Sequence, residues 1–220
     1  MFVNCEQAIL EACPQLRLGH LQAKVVVCDS SDRFWQVAEP ILQARAELDA
    51  SDIRQTPVLA EARKAYKALG QDPSRYRLSA EALNRRMMKK QSLYRISNLV
   101  DLINLLSLQT AYSIGGFDLA KIQGSVSLRK GTADDVYAAI GRGALNIKHL
   151  PVLVDQIGPF GNPSSDSERT CINTATQSVW LVFYDFGAND SLEASLVLAQ
   201  KYLKEFAQAE ELHCDIQICK

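Results

Sequence analysis

Apolar residues in the first half of the chain recur every three or four positions. In the run "SSDRFWQVAEPILQARAEL", Phe34, Val37, Ala38, Ile41, Leu42 and Leu48 fall near helical spacing, which predicts an amphipathic helix. Pro40 stands inside it and is expected to bend or break it. A second helix is predicted over "PVLAEARKAYKALG", with Pro57 in its first turn and Gly70 at its C-terminal cap. A third starts at Ser79, where Ser-Ala-Glu-Ala reads as a cap with early negative charge. A fourth, "SNLVDLINLLSLQTAY", carries Leu99, Leu102, Ile103 and Leu106 on one face. Upstream, the β-branched run Val25 to Val27 predicts a buried strand.

Beyond Tyr112 the pattern changes. "KIQGSVSLRKG", "DDVYAAIGRGAL", "LPVLVD" and "SVWLVFYDF" are short runs bounded by Gly, Asp and Asn, the mark of strands. A last helix carries a stripe of Leu192, Leu196, Ala199, Leu203 and Phe206, with Asp190 placed to cap it and Glu193 three residues on. "HCDIQIC" closes the chain as a predicted strand. Helices gathered ahead of a block of strands argue for an α+β fold rather than alternating βαβ units.

Length and composition narrow the function classes. The 220 residues suffice for one large domain or two small ones. A net charge of −1 supplies no whole-molecule field for nucleic acid or membrane, so an electrostatic partner must meet a local patch. Six cysteines form no Cys-x-x-Cys pair, and the spacing of His213, Cys214 and Cys219 fits no usual zinc pattern. No metal or other cofactor is expected. The opening "MFVNCEQAIL" has an early acid and no basic segment, so it does not read as a secretory signal, and no apolar run reaches membrane-spanning length. Reduced thiols and a cytoplasmic location are the expectation.

Four stretches carry candidate chemistry. Asp101 and Asn104 interrupt an apolar helix at i, i+3, either to tie the helix to neighbouring backbone or to serve a site. Gly115 and Gly116 then give a turn that a ligand or another backbone can approach closely. In "AAIGRGALN", Arg142 between Gly141 and Gly143 offers a planar fork for carboxylate or phosphate. The long connection "GPFGNPSSDSERT" ends on Asp166, Glu168 and Arg169, which either form an internal ion-pair network or bind an ammonium group and a phosphate. From Arg75 to Arg95 seven basic residues, among them Arg85, Arg86, Lys89 and Lys90, face one acid, Glu81, with Tyr76 and Tyr94 near the ends. That is either a solvated helix face or a contact for RNA.

These motifs converge on one family. "NLVDLINLLSLQTAYSIGGFDLAKIQG", with Val100-Asp101, Asn104, Phe117-Asp118, Lys121 and Gly124, resembles the B3/B4 domain of the bacterial phenylalanyl-tRNA synthetase beta subunit. "PVLVDQIGPFG" and "NTATQSVWLVFYDF" are similar to later motifs of that domain, and "DPSRYR", "IGRG" and "GPFGNPSSDSERT" resemble its free-standing members. The resemblance covers roughly residues 50–190. It implies one domain over residues 1–220, with residues 1–50 as an extension packed on it. It also implies a three-layer sandwich of antiparallel sheets and helices, and a role in removing tyrosine wrongly esterified to tRNA. Of four site positions in the synthetase form, Asn104 matches; Ile103, Gly115 and Val182 stand where that form has Thr, His and Glu.

The reading is therefore a protein that binds tRNA or aminoacyl-tRNA and hydrolyses mischarged ester in trans. No DNA or membrane partner is expected, and no ATP-binding aminoacylation core is present in the motifs. Asn104 and Glu168 are the expected catalytic residues. Gly115, Gly116, Arg142, Asp166 and Arg169 are expected to bind substrate, and Arg85, Arg86, Lys89 and Lys90 to bind RNA. A non-catalytic RNA-binding module and a pocket for a free amino acid or related metabolite are the alternatives. The side of the fold that the basic residues face discriminates between them.

Overall fold

A computed structural model describes residues 1–188 and 191–220. Two four-stranded sheets lie at its centre. One runs in the order β1 (Val3–Cys5), β4 (Val126–Lys130), β7 (Pro151–Val154), β8 (Pro159–Gly161). The other runs β10 (Glu210–Ile218), β2 (Arg17–Lys24), β9 (Ser178–Asp185), β3 (Ile114–Asp118). A small hairpin, β5 (Ala138–Ala139) and β6 (Gly143–Ala144), stands apart. Pairing is antiparallel except between β1 and β4, which run parallel. Residues 1–50 thus supply an edge strand to one sheet and an interior strand to the other.

The layers follow from the alternation of side chains along β3 and β9. Phe117 of β3 and Trp180 of β9 point inward, where Phe117 meets Phe160 of β8 edge-on at 5.0 Å between ring centroids. That aromatic cluster joins sheet to sheet. The opposite face of the second sheet carries the helices α6 (Asn98–Thr110) and α7 (Ser191–Phe206). Gly19 of β2 admits Leu192 and Leu196 of α7; a Cβ there would stand 2.9 Å from Leu192 Cδ1. The architecture is the expected α+β three-layer arrangement of helices, sheet and sheet. The further helices are the short α1 (Gln7–Ala12) and α3 (Ala50–Gln55), with α2 (Asp32–Ala46), α4 (Pro57–Ala68) and α5 (Ser79–Met88).

Several local expectations change. Helix α2 continues unbroken through Pro40. Pro40 and Glu39 lie on its exposed face, where a freed carbonyl can bond to water. Ser79 is the first residue of α5 and not its cap; its N–H donates to Pro163 O at 2.8 Å. The strand near Val25 ends at Lys24, and the N–H groups of Val25 and Val26 go to Gln177 O and Ala207 O. Gly115 and Gly116 form part of strand β3, not a turn. Gly70 does sit just past α4 with φ +92°, as its cap position demands. The capping role read for Asp190 lies outside the described residues.

The expectation of reduced thiols is corrected at one pair: Cys5 and Cys219 form a disulfide that spans 214 residues and ties β1 to the end of β10. The pairing follows from topology. Gln217 holds β1 alongside by bonding both the N–H and the C=O of Val3, which leaves the two cysteine Cα atoms 6.0 Å apart.

Gly131 gives the fold a direct test. It follows β4, its N–H donates to Leu150 O, and its carbonyl accepts from His149 N–H. A Cβ there would overlap the carbonyl oxygen of Ile147, which is backbone and cannot rotate away. Gly131→Ala is expected to lower unfolding free energy by about 3 kcal/mol, the upper range of overpacking. Denaturant unfolding measures it, and wild-type stability would contradict the packing described.

Candidate functional site

Helices α5 and α6 and the edge strand β3 line a cleft of about 810 Å³. Helix α6 turns Val100, Ile103, Asn104 and Ser107 toward it, a spacing of i, i+3, i+4, i+7 that lines one helical face. The opposite wall comes from Ile114 and Gly116 of β3, the β5–β6 turn with Ile140 and Arg142, and the segment Ser164 to Asp166 with Ile172. At Gly116 a Cβ would come within 2.6 Å of Ile103 Cδ1 and 3.2 Å of Ile172 Cδ1, so a larger residue requires those side-chain ends to shift. The two isoleucines close over it and make part of the cleft wall apolar.

Two polar groups are set in that apolar lining. Asn104 is half-buried, and its amide has no hydrogen-bond partner among the described residues. Asp166 takes one hydrogen bond, from Gly116 N–H to its Oδ2 at 3.0 Å. Its other oxygen lies near Gly115, 3.4 Å from where a Cβ would be. Among the described residues no cation pairs with Asp166. Desolvation pushes its carboxyl up to about 7, against the pull of the Gly116 N–H. Asp101, by contrast, serves structure: it accepts from Ser30 Oγ at 2.7 Å and Ile96 N–H at 2.9 Å.

Five cations share the cleft: Arg77, Arg85, Arg86, Lys89 and Arg142. None has a carboxylate partner among the described residues. Glu81, which sequence sets against the basic run, is buried and bound to Arg63 of α4 at 2.6 Å, so it does not neutralise them. Unpaired cations brought together in this way offer a site for phosphates.

Asn104, Gly116, Arg142, Asp166, Arg85, Arg86 and Lys89 therefore line one cavity. Four expected site residues do not. Lys90 is exposed beyond the end of α5. Gly115 faces the inner layer, where its missing Cβ leaves room for the Phe117 ring. Glu168 is exposed at the start of a 3-10 turn. Arg169 is turned onto Asp155, with Nη2 2.8 Å from Asp155 Oδ1. Asp155 also accepts the N–H groups of Gln123, Ile157 and Gly158. For Arg169 the ion-pair reading of the loop is what the geometry shows. Val182, paired with Gly115, is fully buried and is not part of the cleft. Ser107, Ser164 and Ile172 were not singled out in the sequence. The helical spacing from Asn104 would have found Ser107; the other two depend on chain reversal at Asn162, whose side chain accepts from Ser164 and Ser165 N–H.

The B3/4 domain family profile matches residues 61–194. The chain belongs to this family. The B3/4 match includes α5, α6, β3 and the segment carrying Asp166, and so all five cations of the cleft. Among solved structures, an N-terminal fragment of the phenylalanyl-tRNA synthetase beta-subunit from Pyrococcus horikoshii is similar to it, at 14% sequence identity and a TM-score of 0.45. That alignment covers 97% of this chain and 49% of the fragment, so the chain spans about half the length of that structure. No curated protein sequence matches the chain. Among the described residues no helix is long and apolar enough to cross a membrane.

Two outcomes follow. The carboxyl of Asp166 is held near 7 in the fold against 3.8 when unfolded. Its contribution to stability is therefore full below about pH 3.8 and is lost as pH rises through about 7. Asp166→Asn keeps an acceptor for Gly116 and removes the charge. Its melting temperature should gain on wild type progressively from pH 4 to pH 8; a constant offset would place the carboxyl in water. Arg169→Ala leaves the fully buried carboxylate of Asp155 without its cation and should cost about 3 kcal/mol by denaturant unfolding. An unchanged midpoint would show that the three backbone donors suffice.

Proposed function

We propose that the cleft binds the 3′ end of an aminoacylated tRNA and hydrolyses the ester of a mischarged one. One observation carries this reading: an acid without a cation partner among the described residues lines the same cavity as five cations without a carboxylate partner among them. A ligand that satisfies both has an ammonium group at one end and phosphates at the other. An amino acid esterified to RNA has that form. A free amino acid lacks the phosphates, and RNA alone leaves Asp166 unpaired.

In this reading Asp166 pairs with the α-ammonium group, whose charge draws the carboxyl back to its ionised form. The isoleucines receive an apolar amino-acid side chain. The Asn104 amide orients the ester carbonyl or the attacking water. Water adds to the carbonyl carbon, the bond from that carbon to the ribose oxygen breaks, and the ribose oxygen leaves with the water's proton. The products are free amino acid and uncharged tRNA. Arg85, Lys89 and Arg142 hold the phosphates, with Arg86 beside them at the cleft mouth. The family's tie to tRNA synthetases supports an RNA partner, and work on tRNA would place the protein in the cytoplasm. A second site of this kind removes products that a synthetase pocket discriminates too weakly to exclude.

The experiment is a panel of mischarged tRNAs incubated with the protein, with ester loss followed over time. Wild type is expected to deacylate at least one, Asn104→Ala and Asp166→Asn to lose ~100-fold in rate, and Arg85→Ala to weaken binding while flattening its salt dependence. Salt-sensitive binding without ester loss on any tRNA would leave an RNA-binding module. Absence of both would remove the proposal.

A further inference from the structure

We infer that Tyr94, backed by Arg86, is a stacking platform for one unpaired nucleobase at the cleft mouth. The inference rests on the RNA reading of the same cleft and adds to it a base subsite. Its position is built by the segment between α5 and α6, which has neither helical nor strand structure from residue 91 to 96. Leu93 anchors that segment by packing with Met87 and Leu108. On either side of the anchor the chain turns outward. Arg95 lies over the Trp35 ring at 4.3 Å, against α2. Tyr94 lines the cleft and is 50% exposed.

One face of the Tyr94 ring is occupied. The Arg86 guanidinium carbon stands 3.9 Å from the ring centroid, within cation–π contact. The guanidinium does not swing freely, because its Nε donates to Ser92 O at 2.6 Å. The arginine therefore holds the ring from one side. The phenol hydroxyl makes no hydrogen bond among the described residues, so the half-exposed ring itself is what the site presents. A half-exposed ring backed on one face by an arginine, next to cations without a carboxylate partner among the described residues, is an arrangement that binds single-stranded RNA through base stacking and backbone charge together. Stacking is tolerant of sequence because every base has a π-face. The platform therefore selects an unpaired end and not a particular base.

The test uses single-stranded oligoribonucleotides ending in CCA, with 2-aminopurine placed in turn at each of the last three positions. Stacking on an aromatic ring quenches this fluorophore. Wild type and Tyr94→Phe should quench one position strongly. Tyr94→Ala should abolish that quench and weaken binding about ten-fold, the scale of one base stack, while leaving the slope of affinity against salt unchanged. Arg85→Ala should instead reduce that slope by about one. If wild type binds in a salt-dependent way but Tyr94→Ala binds equally well with equal fluorescence, the platform is wrong and the RNA reading stands. If wild type binds none of the oligonucleotides, both fall together.

Discussion

Close approach through glycine is the constraint on which the site depends. The Phe117 ring sits where Cβ atoms of Gly115 and Gly161 would be, and so locks β3 of one sheet to β8 of the other. One residue on, Gly116 faces the helical layer and lets Ile103 and Ile172 close against the strand. Together these glycines draw β3, β8, α6 and the segment after β8 to within contact of one another. The free edge of β3 is then left facing the cleft, and its Gly116 N–H is the donor that holds Asp166. A side chain at Gly115 or Gly161 would require the Phe117 ring to move, and one at Gly116 would require the ends of Ile103 and Ile172 to shift.

The electrostatics depend on the same packing. Three buried acids elsewhere in the fold are matched by cations, Asp155 by Arg169, Glu81 by Arg63 and Asp185 by Arg17, while Asp101 is held by Ser30 Oγ and the Ile96 N–H. Among the described residues Asp166 has no cation partner, and the cations across the cleft have no carboxylate partner. In a folded protein such a division of charge carries a cost, which a ligand supplying the missing partners would relieve. The B3/4 fold positions these groups.

Much of this was legible in the sequence. The 3.6-residue period gave α6 and therefore the direction of Asn104. The glycine pair, the Gly-flanked Arg142 and the charged exit at Asp166 were visible as departures from their surroundings. What was not legible were effects of distant chain. Two glycines have little strand preference, and β3 is a strand because β9 pairs with it along its length. Asp166 and Glu168 look equivalent in sequence, yet the Ser167 cap and the 3-10 turn place one in the cleft and the other in solvent. Arg169 found Asp155 through a fold of three backbone donors that no local pattern announces. The parallel pairing of β1 with β4 and the Cys5–Cys219 bond join residues far apart in sequence, which composition and spacing do not encode.

The most direct measurement is a crystal structure of the protein with a non-hydrolysable aminoacyl-adenosine, in which an amide replaces the ester. The account predicts the ligand in the cleft between α5, α6 and β3, with its ammonium nitrogen within hydrogen-bond distance of Asp166 and its carbonyl beside Asn104. A ligand bound elsewhere, or bound in the cleft with its ammonium group turned away from Asp166, would contradict it.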